Sequence, residues 1–93
     1  MNRIADYELL LEQFLSGEIP VEEFQATYLN RFKDEGQMDE ELFELLDKLF
    51  GDVDSFTTDL KLRTQNPHFY LDEAQLRQRV RQTAARLAKM KRY

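Results

Sequence analysis

The sequence has no cysteine, a single histidine, and only three glycines and two prolines among its 93 residues. Without cysteine it can form neither a disulfide nor a thiolate metal site. So few glycines and prolines argue against a protein of many short strands. No apolar run reaches the ~18 residues of a membrane-spanning helix, and acids interrupt the apolar N-terminal stretch, unlike in a signal peptide. We therefore expect a cytoplasmic protein without membrane contact.

Apolar residues recur at helical spacing throughout the chain, and no alternating strand pattern is present. The pattern predicts four amphipathic helices, at about residues 4–15, 20–35, 39–57 and 72–91. An apolar content of 42% is enough for one small core. The sequence therefore predicts an all-α single domain over residues 1–93, an antiparallel four-helix bundle with one longer connection at 59–71.

Helix-start residues support these boundaries. Pro20 suits a first helical position because its φ is preset. Asp39 is a favourable N-cap, and Asp72 with Gln75 forms the pattern of a capping box. In the third segment, the apolar positions continue past Gly51 to Phe56, so we expect that helix to run through the glycine.

Charge is divided unevenly along the chain. Residues 1–60 carry 16 Asp and Glu against 4 Lys and Arg, whereas residues 61–93 carry 2 against 9. The acidic body and the basic C-terminal segment could attract one another within the fold. Alternatively, the acidic part could face a basic partner. The sequence leaves both interpretations open.

Residues for catalysis or cofactor binding are not found. His68 has no cysteine or second histidine to complete a relay, and the Asp52-Val53-Asp54 stretch departs from a calcium loop at the positions that follow. No Glu-x-x-His pair and no glycine-rich phosphate loop is present. We expect no enzyme activity, no metal and no cofactor.

Acidic side chains are concentrated on the third predicted helix. With Leu46, Leu49 and Val53 turned inward, several carboxylates face outward at least in part, and another lies just beyond the helix. These are Glu44, Asp47, Asp52, Asp54 and Asp59. Like charges this close destabilise a helix, so a basic partner would give them a function. Phe69 and Tyr70, in the following connection, are either aromatic partner contacts or residues that close the end of the bundle.

Three stretches resemble the bacterial self-protective, colicin-D-type immunity proteins: FLSGEIPVEEFQATYLNRF at 14–32, LFGDVDSF at 49–56 and YLDEAQLRQRVRQTAARL at 70–87. Pro20 departs from the Ser or Thr N-cap expected there. The resemblance implies a four-helix bundle that binds the C-terminal nuclease domain of a bacteriocin or contact-dependent inhibition toxin.

In the colicin-D type the toxin cleaves tRNA in its anticodon loop, and acidic side chains of the immunity protein cover the toxin's basic active site in place of RNA phosphates. The resemblance assigns this role to Asp52, Asp54 and Asp59. Glu44 and Asp47 are added from the surface pattern. We expect a monomer or weak dimer when the protein is free.

Two other functions fit the residues. An acidic helical adaptor or regulator would use the same carboxylates against another cellular protein. A nucleic-acid binder would use the basic residues of the last helix, although interleaved exposed aromatics are missing there and the acidic body would repel phosphates. Retention on heparin would distinguish the nucleic-acid binder from the immunity protein.

Overall fold

The apolar stripes form helices in the computed structural model, which describes residues 3–66 and 68–90. These described ranges contain five helices: α1 (Arg3–Leu15), α2 (Val21–Lys33), α3 (Glu40–Asp54), α4 (Leu60–Gln65) and α5 (Glu73–Met90). Within the described ranges no strand is present, and only an isolated bridge joins Phe56 to Leu71. The all-α prediction is confirmed. Residue 91, the predicted end of the last helix, lies outside the described residues.

The four longer helices contact one another in a ring. α1 packs against α2 and α5, and α3 packs against the same two helices. Each contributes its apolar stripe to a single buried cluster: Tyr7, Leu10, Leu11, Phe14, Val21, Phe24, Tyr28, Leu42, Leu46, Leu49, Val53, Phe56, Leu76, Val80 and Leu87. The described residues thus form one helical domain, and its arrangement as an antiparallel four-helix bundle stays a prediction.

Short connections are set by local backbone chemistry. Gly17 has a φ of +84°, which lets the chain turn after α1 at no steric cost. The Pro20 carbonyl accepts the Phe24 N–H at 3.0 Å, and the ψ of Pro20 is an extended 162°. Pro20 is therefore the N-cap of α2. We expected it to be the first helical residue, but that residue is Val21.

The end of α3 differs from the sequence pattern. The helix passes through Gly51 as expected but ends at Asp54, before the expected residue 57. Phe56 turns into the core, and the Leu71 N–H donates to the Ser55 carbonyl at 3.0 Å. From α2, the Gln25 amide donates to the Val53 carbonyl at 3.1 Å and to that of Phe56 at 3.3 Å. These tertiary contacts replace the helical hydrogen bonds that a longer α3 would need.

The connection from residue 59 to residue 71 contains a helix that the sequence pattern did not indicate. α4 is six residues long, and Asp59 caps it by accepting the N–H groups of Lys61 and Leu62. After it, the capping box of α5 forms as predicted: Gln75 N–H donates to Asp72 Oδ1 at 2.8 Å, and Asp72 N–H donates to Gln75 Oε1 at 3.0 Å. This connection ties the end of α3 to the start of α5.

Candidate acidic interface on helix α3

The outward side of α3 is acidic along its whole length. Leu42, Leu46, Leu49 and Val53 are buried, so the opposite side of the helix faces solvent. The residues of that side follow one another at steps of 4, 3, 4 and 3 and are all exposed: Glu40, Glu44, Asp47, Gly51 and Asp54. We call this set the outer stripe. It carries four carboxylates and one position without a side chain.

No cation within the described part of the chain neutralises the outer stripe by direct pairing. The ion pairs found there join Arg3 to Glu35, Arg63 to Asp72 and Arg77 to Glu73, and none of them includes a residue of α3. Carboxylates one turn apart on a helix repel one another by a few tenths of a kcal/mol per pair. The stripe therefore costs a little stability and offers a row of solvated acceptors at fixed spacing.

Asp52 lies on a different side of α3 from Asp54. It is partly buried, in a groove of about 570 Å³ between α3 and α5. Burial raises the pKa of the Asp52 carboxyl, and the positive charges of Arg79 and Lys48 partly oppose that rise. Residues two positions apart in a helix, such as Asp52 and Asp54, are separated by about 200° around the helix axis. The structure therefore does not bring the two carboxylates of the DVD stretch to one surface.

Acidic and basic side chains of the chain face each other in the groove between α3 and α5. α3 contributes three carboxylates and Lys48 to its walls, α5 contributes only cations among its charged side chains, and no ion pair closes the groove among the described residues. The charged lining residues are Glu41, Glu44, Lys48, Asp52, Arg79, Arg86 and Lys89. Attraction within the fold thus involves one flank of α3, and Glu44 belongs both to this groove and to the outer stripe, whose other residues do not line the groove. The groove supports attraction between the acidic and basic parts within the fold, and the interpretation that the acidic part faces a basic partner stays a prediction.

Asp59 is already used by the fold. Its Oδ1 accepts the Lys61 N–H at 2.9 Å and the Leu62 N–H at 3.3 Å. These are the unpaired donors at the start of α4, which an Asp at the N-cap satisfies. The carboxylate still lies at the surface, but a structural role accounts for its presence without a partner.

Phe69 and Tyr70 differ in exposure. The Phe69 side chain is 64% exposed, so it does not close the bundle. Tyr70 is partly buried, and the two rings meet edge to face with centroids 4.8 Å apart. Leu60, from α4, is 68% exposed and lines the same shallow depression as Tyr70. The segment that follows α3 thus exposes Phe69 and Leu60, and the other residues that line the depression beside Tyr70 are polar or charged: Arg63, Thr64, Asp72 and Gln75.

Phe43 is a surface feature that the sequence pattern did not single out. It is 46% exposed, and its ring lies 5.7 Å from that of Phe32 on α2. It follows Leu42 directly, so it borders the buried face on the side of α2, next to Asp47. Helical spacing alone could have placed it there, because Phe43, Asp47 and Phe50 are one turn apart.

The described residues contain no group of three or more His, Cys, Asp or Glu side chains arranged to hold a metal ion. His68 is exposed. Within the same residues, no helix is both long enough and apolar enough to cross a membrane.

The buried hydroxyls of Tyr7 and Tyr28 have partners: Tyr7 donates to Glu35 Oε1 at 3.0 Å and Tyr28 to the Leu46 carbonyl at 2.7 Å.

The described residues form a small helical domain with an acidic stripe exposed on α3. Comparison with known families makes this more specific. Residues 2–87, nearly the whole chain, match the family described as bacterial self-protective colicin-like immunity. The chain belongs to this family, as the resemblance indicated. No curated protein and no solved structure matches the chain.

Proposed function

We propose that this is an immunity protein that binds and neutralises the C-terminal nuclease domain of a bacteriocin or contact-dependent inhibition toxin. The nuclease is a tRNase, and the outer stripe of α3 covers its basic active site in place of RNA phosphates. The observation that supports this proposal is the row of exposed carboxylates on α3 that have no cationic partner in the described fold, in a chain of the colicin-like immunity family.

Electrostatics explains how such a surface would inhibit a tRNase. An active site that holds a polyanion must itself be cationic. The outer stripe presents carboxylates one helical turn apart, about 5–6 Å between Cβ atoms. Because folding has already ordered α3, little further conformational entropy is lost on binding. Opposite potentials also speed the encounter of the two proteins.

The individual residues have different roles in this proposal. Glu44, Asp47 and Asp54 are the phosphate-mimicking contacts. Asp52 borders the interface from the α5 side, and Asp59 contributes mainly by ordering α4. Phe69 and Tyr70, on the segment between α4 and α5, provide aromatic contact area, as aromatic residues do in binding hot spots. The partner is a basic protein, and the immunity protein binds no nucleic acid itself.

The protein acts in the cytosol as a monomer or weak dimer until it meets the toxin. The same outer stripe would serve an acidic adaptor or regulator of another basic cellular protein. An adaptor would use the same surface but would bind a protein that is not a toxin nuclease. The identity of the bound protein therefore distinguishes the two functions.

Capture of the partner tests the proposal. The tagged protein is incubated with a lysate of its native strain at moderate salt, and the retained proteins are identified by mass spectrometry. We expect a basic toxin fragment whose tRNase activity disappears when it is bound. Retention of a housekeeping protein instead would support the adaptor, and retention of RNA would contradict both.

Reversing the charge of Asp54 tests the surface. Asp54→Lys should weaken binding of the captured partner by roughly 2 kcal/mol or more, because it places a cation against the partner's cations. Lysine is favourable at a helix C-terminus, so α3 should remain intact by circular dichroism. The matched control is Glu12→Lys on α1, which is also exposed and does not lie on α3. Equal binding by both variants and the wild type would remove the outer stripe from the interface.

A further inference from the structure

Gly51 is an exposed glycine in the interior of a long amphipathic helix. A Cβ atom built at this position meets nothing within 4 Å. The position is helical, so it does not need the left-handed backbone that requires glycine at Gly17. Neither packing nor backbone conformation within the described fold therefore requires the absence of a side chain at residue 51.

Glycine in a helix interior has a cost. Relative to alanine it loses more conformational entropy on folding and exposes the backbone to water. In α3 this cost is not offset by closer packing of a neighbouring helix, because the space around residue 51 is open. The described fold thus supplies no reason for glycine at this position, whereas a molecule bound to this face of α3 would supply one.

The surroundings of Gly51 indicate what kind of molecule this is. Asp47 lies one turn before it and Asp54 one turn after it, both exposed on the outer stripe. Along the helix axis these residues are about 6 Å and 4.5 Å from Gly51. The glycine thus opens a gap between two carboxylates, where a partner can approach the helix backbone directly.

We infer that Gly51 is a specificity-determining contact, at which a basic segment of the toxin packs against the bare backbone of α3. Cationic side chains on either side of the contact reach Asp47 and Asp54, and arginine suits this best because its planar fork binds carboxylates bidentately. The inference rests on the proposed function. The inference adds a steric requirement to the electrostatic one: residue 51 must lack a side chain for the toxin segment to reach the helix backbone.

Gly51→Asp separates shape from charge. If charge alone governs binding, one more carboxylate on the outer stripe should leave the affinity unchanged or increase it. If the partner packs on the bare backbone, the added side chain must be displaced or must push the partner away. We expect Kd to rise about tenfold or more, with a smaller rise for Gly51→Ala. Ala26→Asp, at an exposed position of α2, adds the same charge elsewhere and should leave Kd unchanged.

The probe is the toxin fragment that the wild-type protein retains from its native strain, purified and titrated against each variant. Far-UV circular dichroism confirms that each variant is helical. Gly51→Ala keeps the test valid even if Gly51→Asp unfolds, because alanine favours the helix. Wild-type affinity for both Gly51 variants would overturn the inference and leave the proposed function standing. If the wild type retains no basic nuclease, the proposed function and this inference are both overturned.

Discussion

Alkaline pH should destabilise this protein through its two buried tyrosines. Tyr7 and Tyr28 are fully buried. Burial raises the pKa of both phenols above the ordinary value of 10.0, and the hydrogen bond from Tyr7 to Glu35 raises that of Tyr7 further. The unfolded chain releases these protons from about pH 10, whereas the folded chain keeps them. Since the unfolded state then binds fewer protons, the free energy of unfolding falls as pH rises.

The size of this effect follows from proton linkage. Each tyrosine that stays neutral in the fold and ionises when unfolded lowers the free energy of unfolding by about 1.4 kcal/mol per pH unit above pH 10. Two such groups give roughly 2.8 kcal/mol at pH 11. A domain of this size is stable by roughly 5–14 kcal/mol, so a change of this magnitude is readily measured.

Tyr28→Phe provides the specific test. At neutral pH this variant loses the hydrogen bond to the Leu46 carbonyl, at 2.7 Å, and should be less stable by about 1 kcal/mol. It also loses half of the alkaline pH dependence. The stability curves of the variant and the wild type should therefore cross between about pH 10 and pH 11.

Urea unfolding, followed by circular dichroism from about pH 7 to pH 11, measures both curves. Phe14→Leu is the control, since it perturbs the core without removing an ionisable group and should shift the curve without changing its slope. Tyr7→Phe should remove the other half of the slope. Parallel curves for Tyr28→Phe and the wild type would refute the reasoning, because they would mean that the fold does not hold Tyr28 neutral.

Two further predictions concern α3. Gly51→Ala should raise the free energy of unfolding by about 0.5–1 kcal/mol, seen as a higher midpoint in thermal unfolding, and a lower midpoint would mean that the fold itself requires the glycine. Gln25→Ala should lower the free energy of unfolding by roughly 1–3 kcal/mol, because it leaves the carbonyls of Val53 and Phe56 without their donor. Faster amide hydrogen exchange at the end of α3 should accompany that loss, and unchanged exchange would contradict the capping role of Gln25.

Local chemistry made parts of the fold predictable. The capping box of α5 involves residues three apart, Asp72 and Gln75, so the sequence contains all of its components. The same holds for the buried face of α3, which follows from the helical spacing of its apolar residues. The outward position of Asp47 and Asp54 follows from that face, because a helix surface is determined once its inner side is known.

Other features depend on residues far apart in sequence. Apolar spacing predicted that α3 continues to Phe56. Instead, Gln25 and Leu71 form hydrogen bonds with the backbone at the end of α3, and these residues lie 31 and 15 positions from Phe56 in the sequence. Asp52 and Asp54 are close neighbours in sequence, yet only the packing of α5 against one flank of α3 places Asp52 in a groove and leaves Asp54 in solvent.

Periodicity and composition were enough to predict the helical class, the inner and outer faces of α3 and the separation of acidic from basic residues along the chain. Packing between helices determined where α3 ends and which carboxylates α5 approaches. The physical reason is that a helix pattern is a property of neighbouring residues. The environment of a carboxylate depends on which helix packs beside it, and the local sequence pattern does not specify how the helices pack.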